Sequence, residues 1–237
     1  MQRIIKLAAL GLAISSPVYA DFTVDTPIVD KGYADIETTN SFAFDHRNAQ
    51  NAVHEHRLGF DYAPLQGWLI TMEGVEDKEP RDDWRFIGTN IESVVTLTRN
   101  DDHWLSSGVR VHYTIGHDRN PGQAEAALLL EKTIGKFTYT ANFVFDRETG
   151  PERESAVAGA LNWRVLYGYE EALNPAIEAY SSVGRANHFA ALQDEEHRIG
   201  PVLQGKLGRI DYDIGWLFGL TNATADHMLK VNLNYEF

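Results

Sequence analysis

The chain is 237 residues long, 43% hydrophobic, carries a formal net charge of −13 and contains no cysteine. That length allows one sizeable domain, and the excess of acid argues against a nucleic-acid partner, which needs clustered Lys and Arg to displace counterions. The missing thiols exclude disulfide staples, thiolate metal sites, a thiol nucleophile and a lipid-bearing cysteine.

Residues 1–20, MQRIIKLAALGLAISSPVYA, open with Arg3 and Lys6, run through an apolar stretch from Leu7 to Ile14 and reach Val18-Tyr19-Ala20. A basic start, a short apolar core and a small-residue end read as a cleaved secretory signal. The core is too short to span a bilayer comfortably, and no later stretch approaches the roughly 18–20 continuous apolar residues of a membrane helix. Cleavage removes Arg3 and Lys6 and no acid, moving the net charge from −13 to −15. The mature domain is then 21–237, opening on DFTVD, a plainly polar segment.

From residue 33 onward the chain alternates apolar and polar residues in short runs, the period of a strand with two different faces. Twelve such runs are predicted: about 33–46, 54–65, 67–76, 84–98, 103–116, 123–133, 136–147, 154–167, 172–183, 195–207, 208–220 and 226–237. WLSSGVRVHYTIG sets Leu105, Val109, Val111, Tyr113 and Ile115 opposite Ser106, Gly108, Arg110, His112 and Thr114. KFTYTANFVFD sets Phe137, Tyr139, Ala141, Phe143 and Phe145 opposite Thr138, Thr140, Asn142 and Asp146. In RIDYDIGWLFGL, Ile210, Tyr212, Ile214, Trp216, Phe218 and Leu220 share a face. AEAALLLEKTIG is rich in helix formers, but its neighbours pair only if it is a strand. Pro175 cannot donate to a ladder and is expected at the start of its strand.

The connections fall into two kinds. PLQG, RNDD, TIGK and KLGR are tight, whereas HRNAQNA, EDKEPRDD, HDRNPGQ, RETGPER and GRANHFAALQDE are longer and polar. The last nine residues, LKVNLNYEF, alternate to the final ring: Leu229, Val231, Leu233, Tyr235 and Phe237 on one face, Lys230, Asn232, Asn234 and Glu236 on the other. Short turns on one rim, long loops on the other and an even number of strands is the layout of an outer-membrane barrel. With its leader and this terminal strand, the chain resembles the Gram-negative bacterial outer-membrane β-barrel proteins, porins among them, over essentially the whole mature length.

The resemblance implies an all-β fold, a transmembrane up-and-down antiparallel β-barrel of about 12 strands following the cleaved signal peptide, and residence in the cell outer membrane. Pairing of the last strand with the first would leave no exposed edge, and the apolar faces would meet lipid. It implies that Leu233, Tyr235 and Phe237 form the signal read by the outer-membrane assembly machinery, with Tyr235 and Phe237 in the periplasmic aromatic girdle. Trp68, Trp104 and Trp163 are candidates for the same belts. Outer-membrane lipids and lipopolysaccharide are the expected surroundings.

The expected inward faces collect Asp35, Glu37, Arg57, Asp61, Glu73, Glu92, Arg110, His112, Glu125, Glu131, Asp146, Arg164, Glu178, Arg198, Lys206, Arg209, Asp211, Asp213 and Lys230, with acids outnumbering bases. These charges either select solutes at a constriction or form a network that braces or plugs the interior. The channel reading takes Glu92, Arg110, His112, Glu131, Arg164 and Glu178 as pore-lining residues, passing small hydrophilic solutes with a preference for cations. An outer-membrane enzyme acting on lipid or peptide, and a closed barrel with a structural or surface role, remain the alternatives. Nine histidines offer bases, at 46, 54, 56, 103, 112, 117, 188, 197 and 227, but none stands in a local Ser/His constellation. His54 and His56 share a strand face at a spacing a metal tolerates, without a defined third ligand, and read as solvated rim residues. The acidic VEDKEPRDDW could hold a divalent cation between lipopolysaccharide phosphates, although a solvated charge run suffices. No catalytic residue, metal or cofactor is assigned.

Overall fold

The computed structural model describes residues 22–47, 50–118, 120–150, 156–186 and 191–237. Residues 1–20, taken as the leader, lie outside the described residues, as do parts of HRNAQNA, HDRNPGQ, RETGPER and GRANHFAALQDE, including His188.

Twelve antiparallel strands close into one barrel: β1 (Ala34–Phe44), β2 (His54–Leu65), β3 (Trp68–Lys78), β4 (Arg85–Thr98), β5 (Ser106–Gly116), β6 (Gly122–Ile134), β7 (Phe137–Thr149), β8 (Ala158–Tyr167), β9 (Asn174–Arg185), β10 (His197–Leu207), β11 (Ile210–Gly219) and β12 (His227–Glu236). Each strand pairs with its sequence neighbours, and β1 pairs with β12 from Asp35↔Glu236 to Phe44↔His227. All twelve expected runs are strands. The Ala/Leu/Glu/Lys-rich run is β6, bonded on both edges, so pairing overrides its helical propensity. Pro175 is the second residue of β9.

Three hairpins close through two residues, with Gly67, Gly135 and Gly208 at φ 78°, 62° and 67°, a backbone region that side chains with a Cβ rarely adopt. The expected tight turn at RNDD is longer, because β4 ends at Thr98 and β5 begins at Ser106. Hydrogen bonds from Thr98 Oγ1 to the Leu105 carbonyl and from the Asn100 N–H to Ser106 Oγ shape that connection. These turns share a rim with the start of β1 and the end of β12, the rim that faces the periplasm in barrels of this kind.

The outer surface is an apolar band, with Leu58, Phe60, Met72, Val111, Phe143 and Ile214 all exposed. Rings flank it at both rims. On the short-turn side Tyr167 packs on Phe137 at 5.2 Å and Tyr235 on Phe237 at 5.8 Å; on the long-loop side Phe44 stacks on Trp216 at 5.5 Å and His54 meets Trp84 at 4.6 Å. Aromatic bodies with polar tips suit a bilayer's two interfaces. Trp68 and Trp104 lie on the short-turn side. Trp163 does not belong to a rim, since it sits mid-strand between Ala141 and Ala179. Among the described residues no helix is long and apolar enough to cross a membrane.

The lumen holds the largest departure from the sequence reading. Residues 22–33, expected to begin a polar stretch, run inside the barrel: Phe22, Val24, Pro27 and Val29 are buried. The segment rises from the short-turn rim, where the Gly32 N–H bonds the Ala63 carbonyl, to Phe22, which packs with Tyr180, Leu217 and Met228. Val29 packs lower down against Ala63, Val94, Ala127, Leu129 and Val144. Gly108 makes room for it: a Cβ there would lie 2.9 Å from the Val95 carbonyl oxygen and 3.0 Å from Pro27 Cβ.

Candidate functional site: the occupied lumen

Because successive strand residues face opposite sides, every second residue of each strand projects into the barrel. Five of the six expected pore residues gather into two charged groups. On β4, β5 and β6, Arg110 sits with its Nε 3.6 Å from Glu92 and its other nitrogens on Glu125 Oε1 and on Asp25 of the internal segment. His112 Nδ1 lies 3.6 Å from the same Glu92 carboxylate. On β8 and β9, directly opposed in register, Arg164 is 3.6 Å from Glu178. Glu131 stands apart, accepting a 3.1 Å hydrogen bond from Thr140 beside a cavity of about 230 Å³ that Ile28, Arg99, Asn100, Ser106 and Thr133 also line. A second depression, of mixed character, is lined by Arg57, Asn90, His112 and Glu125 together with the apolar Val75, Ile87 and Pro121.

Glu178 is fully buried and bound also by Lys230, which is equally buried and reaches Asp213 at 2.9 Å. The Tyr180 hydroxyl lies 2.7 Å from Glu178 Oε2 and 3.0 Å from the Phe22 carbonyl, and Lys230 Nζ donates to that carbonyl at 3.2 Å. Charges buried this deeply persist when each finds an opposite charge and hydrogen-bond partners, as these do. The Arg198 guanidinium lies 4.7 Å from the Phe22 ring centroid. Arg209, expected on an inward strand face, is instead exposed on the two-residue turn between β10 and β11.

At the short-turn rim Asp30 is held by Gln66 at 3.0 Å and Arg99 at 2.9 Å, and these bonds lower its pKa below the ordinary carboxylate value. At the opposite rim the loop after β1 is clasped to the loop before β12. Arg47 makes a two-point contact with Asp45, at 2.6 and 2.8 Å, and donates to the Thr224 carbonyl at 2.7 Å. His46 Nδ1 is 2.7 Å from Asp226. The bonds from Arg47 take the Asp45 pKa down to about 2, and those from His46 lower that of Asp226. Ligand-type atoms of Asp45, His46 and Asp226 lie within 4.8 Å of one another, but the two carboxylates are already engaged by Arg47 and His46.

The other histidines are dispersed. His54 and His56 are on the outer face of β2, near Phe42 and Trp84. His227 lies among Trp216 and Phe218. Of the acidic run at residues 75–84, Asp77 and Glu79 are paired with Arg85 at 2.9 and 2.7 Å.

Sequence reasoning passed over Asp25, Asn142 and Tyr180 as site residues. One signal for them was present. LLL at 128–130, FVF at 143–145 and WLF at 216–218 interrupt the alternation, and their central residues Leu129, Val144 and Leu217 face inward against the segment.

No protein-family profile matches the chain, and no curated protein sequence does. Solved structures match the fold. An outer membrane channel from Pseudomonas putida F1 superposes with a TM-score of 0.65 at 11% identity, covering 90% of this chain and 98% of that one. A barrel solved in work on in-meso crystallization of membrane proteins gives 0.51 at 11% identity, covering 86% and 84%. The chain has the fold of the Gram-negative outer-membrane β-barrels, a closed 12-stranded antiparallel barrel with the girdled apolar surface that such proteins present to lipid.

Proposed function

We propose that the protein is a narrow passive channel of the outer membrane for small hydrophilic solutes, with residues 22–33 as its occluding element. The observation that carries this reading is a closed barrel whose inner wall bears fixed, mixed charge and whose interior is filled by one extended segment, with a polar cavity of about 230 Å³ beside Ile28 of that segment. The match in fold to an outer membrane channel supports it. Lipid and lipopolysaccharide surround the girdled band, and the assembly machinery reads Leu233, Tyr235 and Phe237 on the final strand. Passage requires the segment to move. Acids outnumber bases on the inward faces, so the freed pore prefers cations, and the preference weakens as the Debye length falls from about 10 Å at 0.1 M salt to about 3 Å at 1 M.

Planar-bilayer recordings of the whole protein and of a variant lacking residues 22–30 test this. The variant is expected to conduct several-fold better and to be cation-selective, and neutralising Glu92 and Glu131 together is expected to shift its reversal potential towards anions. A correctly inserted variant that conducts no better than the whole protein overturns the channel reading. The dense bonding of the segment then favours the second reading, a closed barrel with a structural or surface role.

A further inference from the structure

The lumen wall addresses the backbone of its internal segment at regular intervals, from strands on several sides. The Phe22 carbonyl is met by Tyr180 of β9 and Lys230 of β12. Asn142 of β7 accepts from the Asp25 N–H at 2.8 Å and donates to the Asp25 carbonyl at 3.0 Å. Thr96 of β4 donates to the Pro27 carbonyl at 2.6 Å. The Val29 carbonyl takes hydrogen bonds from Gln66 Nε2, Arg99 and the Gly67 N–H, and Gln66 Oε1 accepts from the Lys31 N–H.

Between these backbone contacts lie three places for side chains. Phe22 sits beneath the Arg198 guanidinium and edge-on to Tyr180 at 5.7 Å; Asp25 meets Arg110; Val29 enters the apolar cluster around Leu129 and Val144. Main-chain hydrogen bonds that give affinity, alternating with pockets that give specificity, are how proteins bind extended peptides. None of these contacts uses the covalent join to β1, so a separate chain of the same kind can make all of them.

We propose that the lumen is a binding site for short extended peptides bearing an aromatic residue, an acid three residues on and an aliphatic residue four beyond that, and that residues 22–31 are its resident occupant. The inference holds whether or not the barrel conducts. Tethering keeps the resident segment at an effective concentration in the millimolar range. A free peptide therefore competes poorly with the intact protein and binds well once the segment is gone.

Fluorescence polarisation of a labelled FTVDTPIVDK peptide on the variant lacking residues 22–30, purified in detergent as a heat-modifiable barrel, tests the proposal. Expected are saturable binding at least tenfold tighter than for a scrambled peptide, a tenfold weakening when the peptide's first Asp becomes Asn, and loss of that Asp/Asn difference when the barrel carries Arg110→Gln. Binding to the intact protein should be at least tenfold weaker than to the variant. Equal binding of matched and scrambled peptides, or no saturable binding to the folded variant, overturns the proposal. If the variant does not fold, a specific protease site is placed after Gly32 in the full chain and cut after folding. Exchange of the released segment for excess labelled peptide, and not for the scrambled one, supports the proposal; retention of the cut segment with no exchange overturns it. Conductance is not read in either arm, so failure here is distinct from failure of the channel reading.

Discussion

Phe143 and Asn142 are adjacent in sequence and face two different media. Phe143 points outward and is 40% exposed, whereas Asn142 points inward, is 1% exposed and holds the backbone of Asp25 with both of its amide atoms. On the outer skin Leu58, Phe60 and Met72 have only to be apolar, because lipid tails fit whatever shape they meet. On the lumen wall Lys230, Glu178 and Arg110 have to be where they are, because each buried charge relies on named partners. The outer face is specified by composition and the inner face by geometry.

The strongest way to break this contrast is to remove one luminal partner. Glu178→Ala leaves Lys230 and Arg164 without their shared carboxylate and is expected to cost about 3–5 kcal/mol in denaturant unfolding, the range for a buried pair broken on one side. Replacing Glu178, Lys230 and Arg164 together with Leu and Met side chains should recover much of that loss, since Asp213 keeps its bond from Gln204. A single-mutant effect of about 1 kcal/mol or less, the size of an exposed pair, would show the lumen to be as permissive as the surface.

On the outer face, Phe143→Arg or Ile214→Arg should cost about 2–4 kcal/mol if the site lies near the bilayer midplane. Arg at Asn142 acts differently, displacing residues 22–33 and exposing them to protease while the barrel stays heat-modifiable. If all three changes have one effect, the two faces are not distinguished as described. Deleting Phe237, or making it Asp, changes yield more than stability: export continues while folded barrel in outer-membrane fractions falls, and unchanged levels would refute its role in assembly.

The smallest effect sharpens the comparison at the rim, which belongs to neither face. Asp45 is held by Arg47 with its pKa lowered from 3.8 to about 2. A carboxylate with a depressed folded pKa contributes stability that is fully present above its unfolded pKa and lost as pH falls through the folded one. The contribution of the clasp should therefore hold above about pH 4 and fade towards pH 2. Thermal melts of the protein and of Asp45→Asn should differ at pH 6 and converge near pH 2; a constant difference across that range would separate the clasp from this titration.

How much of this was legible follows the same division. Period-two alternation located all twelve strands and their outward faces, because burial in lipid imposes one simple rule on every second residue. The rim girdle at Tyr235 and Phe237 was visible for the same reason. The lumen was legible as an inventory of charges and not as a set of partners, since pairing depends on which strands lie opposite one another. Arg164 and Glu178 are 14 positions apart and face each other across a ladder; Lys230 and Glu178 are 52 apart and meet inside the barrel. The internal segment was missed because alternation identifies strands, whereas residues 22–33 join no ladder and are held by side chains of the wall and a few backbone bonds near the short-turn rim. The apolar centres of LLL, FVF and WLF marked where the segment would lie.

Eleven of the pairings in the ring join strands consecutive in sequence, and one joins β1 to β12. Each of the eleven is a hairpin that can form as soon as its two strands exist, but the seam needs both ends of the chain. The entropy of that closure is modest, because loop cost grows with the logarithm of length: going from a loop of roughly ten residues to one of roughly 180 adds only about 2–3 kcal/mol. Difficulty at the seam is therefore one of timing and alignment. A slip of two residues would keep every side chain on its own face and escape correction by the apolar pattern. It would also move Lys230 by about 7 Å along β12, off the Phe22 carbonyl that Tyr180 also contacts. Threaded through the middle and bonded to strands all round the wall, the first residues of the described chain act as a gauge of whether the last strand has docked in register.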